Sequence, residues 1–351
     1  MNIKDSNKKT QLGQFYTTNY EYILQNMKIP SDIDTIIEPF AGQGDLLHFI
    51  DNTDNYTLEL FDINPKCAEY TNIIKKDTLL NPPLYDNKFI LTNPPYLARN
   101  KNKDKTLYEK YNCNDLYKCF IINIMNNDPK GGIIIIPLNF ICSIRKADCE
   151  LRKRFFKKFT VELINIFEER VFDDTGYSVC SIYFTRKTID KPVNITIYPS
   201  KKNLEITFND ENNYTIGGEI YTLPINEDYK ITRATKYTKE EDISNIKLKC
   251  IDDNINSKLG FTIVNDDNKF IDNTEKLSAR SYASLVFNKK ITLEEQTILV
   301  KKINKYLDTH RDKYHSLFLA NYRESNSIAR KRISFGLAFN MCNYVLSELK
   351  F

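Results

Sequence analysis

The chain has 351 residues, 41% hydrophobic and 27% charged, with a net charge of +4; that composition describes a globular protein with room for one large domain or two ordinary ones. Eight cysteines without a CxxC pair and only three histidines argue against a disulfide framework or a metal site, and for a reducing, cytoplasmic setting. The longest mainly apolar run, Ile133–Ile144, is 12 residues interrupted by Pro137, Asn139 and Ser143, too short to cross a membrane, and Met1–Asp5 has no apolar stretch of a secretory signal.

In chain order, β-rich runs are expected at Thr35–Glu38, Tyr56–Phe61, Lys88–Thr92, Gly132–Pro137, Val161–Phe167 and Ser178–Phe184. Helical stretches are expected between them, at Gly44–Asp51, Asp115–Asn126 and Arg145–Lys158. Strands such as Ile133–Ile136 are apolar on both faces, as in a parallel sheet covered by helices on each side. The last two runs suit an antiparallel hairpin closing the sheet. The first half therefore reads as an α/β domain, Rossmann-like, with a doubly wound, mostly parallel sheet. After Lys187 the segments become short, polar and turn-rich, and helical patterns return near 293–308 and 326–349. A boundary is placed at 188/189, giving domains 1–188 and 189–351, the second of α+β type.

The run Ile36–Asp45 leads an apolar strand through a tight turn carrying Gly42 and Gly44, where a Cβ would collide with an approaching ligand. Twenty residues beyond Gly42, the next strand ends at Asp62, placed to accept hydrogen bonds from both hydroxyls of a ribose. Ile63 follows and can pack on an adenine ring, and Asp77 can bind its amino group. The phosphate-binding GxGxxG pattern fails, because Leu47 stands three positions after Gly44, and no Walker lysine follows. A nucleoside without pyrophosphate, S-adenosylmethionine, fits better. Glu38, just before the turn, suits the cationic amino group of its methionine part.

A further strand ends in Asn93-Pro94-Pro95-Tyr96 at the carboxyl edge of the sheet, where α/β enzymes hold their chemistry. An exocyclic amino group is a poor nucleophile because its lone pair is delocalised into the ring. The Asn93 side-chain oxygen and the Pro94 carbonyl can accept both its hydrogens and offset positive charge as a methyl group arrives. The prolines stiffen the loop, and Tyr96 offers a face on which an extruded base can stack. No metal or covalent nucleophile is required.

In this order the motifs resemble those of the γ-type amino-methyltransferases of DNA, the adenine-N6 group of restriction–modification systems. Gly13–Thr17 resembles the segment that caps the methionine end, followed by Glu38–Gly44, Asp62, Asp77, Asn93–Tyr96, Asn114–Tyr117, Gly131–Asn139, and Val171-Phe172 with Tyr177–Phe184. The resemblance covers about 10–187. It implies the fold of class I methyltransferases that use S-adenosylmethionine. It also implies that Thr17, Phe40 and Pro95 help to line the cofactor site, and that Phe172 stacks on the flipped adenine opposite Tyr96. Double-stranded DNA is the implied partner, with room for a cognate restriction endonuclease acting separately, and 189–351 takes the place of the target-recognition domain.

Lys301–Phe351 carries ten Lys and Arg against four Asp and Glu. Lys and Arg at 323, 330, 331 and 332, with Asn321, Tyr322 and Ser325–Ser327, are candidates for contacts to phosphates and base edges. The loop Leu97–Asn112 holds Arg99, Lys101, Lys103, Lys105 and Lys110 against Asp104 and Glu109, and is a candidate cover for an extruded strand. Three rivals stay open at this point. They are methylation of RNA adenine or a protein glutamine amide, methylation of cytosine N4, and a catalytically silent methyltransferase fold used as a DNA-binding subunit.

Overall fold

The computed structural model describes residues 17–65, 70, 72–172, 177–252, 258–322 and 330–349, with the backbone alone for 320–322 and 330. Gly13–Tyr16, Arg323 and Ser325–Ser327 lie outside the described residues. The chain forms two compact units, the first reaching principally to Phe208 and the second beginning at Asn209.

The first unit opens with a one-turn helix, α1 (Tyr20–Ile23), and then alternates strands and helices. These are β1 (Thr35–Glu38), β2 (Thr57–Asp62), β3 (Ile74–Lys75), β4 (Phe89–Thr92), α2 (Thr106–Lys110), α3 (Leu116–Met125) and β5 (Gly131–Pro137). They continue as α4 (Lys146–Lys158), β6 (Phe159–Phe167), β7 (Val179–Arg186), β8 (Val193–Tyr198) and β9 (Lys202–Ile206). The sheet has nine strands in the order β3-β2-β1-β4-β5-β7-β6-β8-β9. β1 is parallel to both β2 and β4, and β4 to β5; β7 runs antiparallel to β5 and β6. This is the doubly wound, mostly parallel sheet expected from the sequence. Its core is the apolar runs: every residue of β4 and β5 is buried, and α3 buries all but one of its residues.

Two expectations for this unit need correction. The segment after Gly44 is a 3-10 helix, Asp45–Phe49, because Leu47 N–H bonds back to Gly44 and Ile50 turns extended before a full α-helical turn can form. The hairpin β6–β7 does not close the sheet. β8 pairs parallel with β6 and β9 antiparallel with β8, so a boundary at 188/189 falls between strands of one sheet. Val193, Ile195 and Ile197 alternate inward along β8, a period-2 signal hidden among polar neighbours.

The second unit is α+β. Its antiparallel sheet has the order β10 (Ile231–Arg233), β13 (Tyr282–Phe287), β11 (Ile243–Lys249) and β12 (Gly260–Ile263). Helices α5 (Leu293–Tyr314) and α6 (Phe335–Leu349) follow, with the ribbon β14 (Ala320–Tyr322) and β15 (Arg330–Arg332) between them. α5 begins with a reciprocal cap, in which the Thr292 hydroxyl accepts from Glu295 N–H while the Glu295 carboxylate accepts from Thr292 N–H. α6 starts at Phe335 rather than 326. Ser334 Oγ accepts from Leu337 N–H at 3.1 Å and fixes the helix entry, while Arg330–Arg332 pairs as a strand instead.

Candidate active site

Strand order reverses between β1 and β4, which grow away from each other toward opposite edges. At such a switch point the loops leaving the carboxyl ends of neighbouring strands separate and open a crevice. The two loops here are Pro39–Gly44 and Asn93–Tyr96. Thr17, Glu38, Phe40, Gly42, Gly44 and Asn93 line one recess between them, which gathers six residues singled out in the sequence. Gly42 and Gly44 hold φ of +54° and +86°, a left-handed backbone that explains why glycine occupies both positions.

Glu38 closes β1 and is 1% exposed. Its Oε1 accepts from Phe40 N–H at 3.0 Å and from the Thr92 hydroxyl, whereas Oε2 is buried with no partner among the described residues. Burial pushes the carboxyl up to about 8, against the two hydrogen bonds that favour its ionised form. A buried acceptor atom without a partner costs free energy. An ammonium group arriving in the recess would remove that cost and draw the carboxyl into its ionised form. The donor set thus fits the amino-acid end of S-adenosylmethionine.

Asp62 ends β2 and is buried; Oδ2 accepts from Gly42 N–H at 2.9 Å and Oδ1 from Asn64 N–H at 2.7 Å. It therefore clamps the glycine turn, and its remaining lone pairs are what it can offer to ribose hydroxyls. Ile63 beside it keeps 43% of its surface exposed, as a platform for a ring requires. Asp77 uses Oδ1 to accept from Leu79 and Leu80 N–H, and the adjacent Thr78 hydroxyl donates to the Pro39 carbonyl, tying this segment to the loop after β1.

The Asn93–Tyr96 loop is held from both sides. Asn93 Nδ2 donates to Thr17 Oγ1 at 3.0 Å. The Tyr96 hydroxyl is shared between Asn93 Oδ1 and the Ile135 carbonyl, the latter at 2.7 Å. These contacts orient the amide with its oxygen toward Tyr96. Pro94 is buried and Pro95 half-buried. The Tyr96 ring is 2% exposed and meets the rings of Tyr117 and Tyr177 edge-on, with centroids at 6.3 and 6.2 Å. An open stacking face is therefore not present here, and stacking on a base requires this ring to leave its packing. Phe172 is likewise buried at 3%, with its carbonyl accepting from Arg170 Nε at 2.8 Å.

Two residues escaped the sequence reading in their supporting roles, although Asp115 stands inside the motif Asn114–Tyr117. Thr92 is one of them, and the only signal for it is its place immediately before Asn93 on the strand beside Glu38. Asp115 is the other. Its Oδ1 accepts from Leu97 N–H at 3.1 Å, the residue after Tyr96, and burial pushes its carboxyl up to about 6 although Lys118 opposes the shift. Lys118, 7% exposed, joins Asp148 at 2.5 Å and Asn114 Oδ1 at 2.7 Å and anchors this helix start in turn. In the Leu97–Asn112 loop, Lys105 is spent on the carbonyls of Arg99 and Asn102, and Arg99 pairs with Glu109 at 3.1 Å.

Residues 14–172 match the model of the Eco57I restriction-modification methylase family. Among solved structures, DrdV in its complex with DNA is 15% identical over 71% of this chain and 36% of its own, with a TM-score of 0.45. The M protein of the type I restriction enzyme EcoKI is 14% identical over 89% and 74%, with a TM-score of 0.40. A methyltransferase subunit of a type I restriction-modification system from Streptococcus thermophilus is 13% identical over 53% and 48%, with a TM-score of 0.40. The chain thus spans about half the length of the Streptococcus thermophilus subunit. No curated protein matches the sequence significantly.

Proposed function

We propose that this chain is a methyltransferase of DNA that uses S-adenosylmethionine to methylate the N6 amino group of adenine, as the modification enzyme of a restriction–modification system. The observation that carries the reading is the unpartnered Glu38 Oε2 in the same recess as Asn93. One side of that recess offers an anion to an ammonium group, and the other offers amide chemistry to a planar NH2. When bound, S-adenosylmethionine supplies an electrophilic methyl group.

Glu38 holds the amino group of the cofactor, with Thr17, Phe40, Gly42, Gly44 and Pro95 around the methionine end. Asp62, Ile63 and Asp77 take the ribose and adenine. Asn93 Oδ1 and the Pro94 carbonyl accept the two N6 hydrogens of the target, so the nitrogen lone pair is freed from the ring as charge develops. Tyr96 and Phe172 enclose the extruded base once their rings leave the core. Double-stranded DNA is the substrate, since N6 is paired inside the duplex and must be flipped out. The second unit recognises the target, and a cognate endonuclease acts separately.

The test is to incubate the purified chain with unmethylated DNA and S-adenosylmethionine, digest to nucleosides and identify methylated bases by mass spectrometry. N6-methyladenine that disappears with Asn93→Ala is the expected result. N4-methylcytosine would keep the mechanism and change the base. Cofactor binding with no methylated DNA would move the substrate to RNA or a protein amide. No cofactor binding would leave a silent DNA-binding fold.

A further inference from the structure

The second unit contains a cleft of about 480 Å³ lined by Arg233, Lys276, Ser278, Arg280, Arg332 and Ser334 among others, with four cations and no acidic side chain in its described wall. The cations divide into two kinds. Arg233 is committed to the fold: it pairs with Asp272 at 2.9 Å, donates to the carbonyls of Leu277 and Ala279, and lies over the Phe335 ring at 4.9 Å. The other three have no carboxylate partner among the described residues. Lys276 and Arg280 are exposed, and the Arg332 side chain makes one hydrogen bond among the described residues, to the Arg280 carbonyl at 3.3 Å, while its Nε is buried without a partner there.

Asp272, 1% exposed, sets this arrangement. Oδ1 accepts from the N–H and hydroxyl of Thr274, and Oδ2 accepts from Ala279 N–H, which closes the loop that displays Lys276, Ser278 and Arg280. Its backbone carbonyl accepts from Lys236 N–H at 3.2 Å, fixing a second turn beside the first. One buried carboxylate therefore neutralises the half-buried Arg233 and pre-forms a loop whose Lys276 and Arg280 have no carboxylate partner among the described residues. Protein fields of this kind favour an anion. Arginine, lysine and serine donors around one cleft are the groups that contact phosphodiester oxygens.

We infer that this cleft binds the phosphate backbone of duplex DNA through Lys276, Arg280 and Arg332, with Asp272 as the positioning residue. The assignment rests on the proposed function for the identity of the polymer. It differs from the sequence expectation by drawing two of its three cations from the loop before β13 rather than from the basic run at 330–332.

The test measures binding of the full chain to a short fluorescent duplex by anisotropy at several salt concentrations between roughly 50 and 200 mM. Each lost phosphate contact should lower the slope of log K against log salt by about 0.9. The combined variant Lys276→Ala, Arg280→Ala, Arg332→Ala should therefore flatten the slope by about 2 to 3 and weaken binding at least about tenfold. A charge-matched control, Lys301→Ala, Lys302→Ala, Lys305→Ala, removes exposed cations from α5 instead and should leave the slope almost unchanged. The swap Lys276→Arg, Arg280→Lys, Arg332→Lys should keep most of the binding, which separates lost charge from lost fold. Unchanged binding in the alanine variant, or equal loss in the α5 control, overturns the cleft and leaves the proposed function standing. Tighter binding to single-stranded RNA, lost in the same variant, would reassign the cleft. A wild-type chain that binds no duplex would sink the cleft and the DNA reading together.

Discussion

The recess at the β1/β4 switch point and the basic cleft of the second unit solve opposite problems with opposite means. In the recess, Thr17 and Glu38 are buried and Asn93 half-buried, and Glu38 Oε2 is a buried acceptor with no partner among the described residues. The cleft has four cations, two of them exposed, and the buried carboxylate behind it pairs with Arg233 and holds the loop. Bond-making chemistry needs single groups in a dry site, where one hydrogen bond is worth much more than in water. Holding a charged polymer needs many modest, screened contacts. Substitutions should therefore be sharp and separable in the first region, and graded and salt-dependent in the second.

The largest expected effect is on Asn93. Asn93→Ala removes an acceptor aimed at developing charge, and methyl transfer should fall by about 10²–10³ or more. Cofactor affinity should stay within a few-fold, since Glu38, Asp62 and the glycine turn are untouched. Single-turnover transfer and a cofactor titration on the same preparation check the two halves. Equal loss in both would mean that Asn93 acts by holding Thr17 rather than by touching substrate.

Glu38→Gln should weaken cofactor binding by about 10- to 100-fold, the worth of one charge-assisted hydrogen bond in place of a neutral one. The pH dependence sharpens the assignment. The folded carboxyl titrates near 8, above the usual carboxylate range, so near pH 6 it carries a proton that binding of a cation must expel. Affinity of the wild type should rise with pH toward 8 and level off as the ammonium group of the ligand begins to lose its own proton. Stability of the cofactor-free protein runs the other way. Between the ordinary carboxylate range and 8 the folded state holds a proton that the unfolded chain has lost, so this contribution is full below that window and gone above it. Asp62 and Tyr85 face the same carboxyl, so the difference between wild type and Glu38→Gln, measured by calorimetry and by thermal unfolding across pH, isolates Glu38. A flat difference would end the argument.

The same contrast explains what was legible in the sequence. β1 was read to the residue and β4 to within one, because their loops carry backbone demands that only certain residues meet: glycine where φ is positive, proline where a loop is stiff. Six of the residues that line the recess were named in the sequence. The supporting roles of Thr92 and Asp115 were not read, since a hydroxyl behind a carboxylate and a carboxylate behind a backbone amide leave no sign of what they hold. β8 and β9 went unseen because strands of six and five residues among polar neighbours give a weak period. The cleft was missed for a deeper reason. Arg233, Asp272, Lys276 and Arg332 are distant in the chain, and nothing local to any one of them distinguishes a cation that binds a ligand from one in solvent.

Asp272→Ala probes that pre-organisation directly. It adds a positive charge to the cleft by removing the carboxylate that pairs with Arg233, so simple attraction predicts tighter DNA binding. If the loop geometry matters, affinity should instead fall about tenfold, the cost of ordering Lys276 and Arg280 only on binding. Anisotropy titrations of the variant beside the wild type decide it. Tighter binding would show that the cleft works by net charge alone, and would reduce the contrast between the two regions to one of burial.

The smallest effect worth measuring is Thr92→Val. It keeps the shape of the strand end and removes the hydroxyl that donates to Glu38 Oε1. That bond favours the ionised carboxylate, so its loss should raise the Glu38 carboxyl further and move the rise of cofactor affinity to higher pH. Near neutrality the cost should be about fivefold, from roughly 1 kcal/mol for one hydrogen bond. The methyl-transfer rate at saturating cofactor should not change, because the Thr92 hydroxyl is hydrogen-bonded to Glu38. The double variant with Glu38→Gln should then lose little beyond the single Glu38→Gln. Additive losses would instead put Thr92 in contact with the ligand itself, and the recess would hold one more binding group than its buried carboxylate.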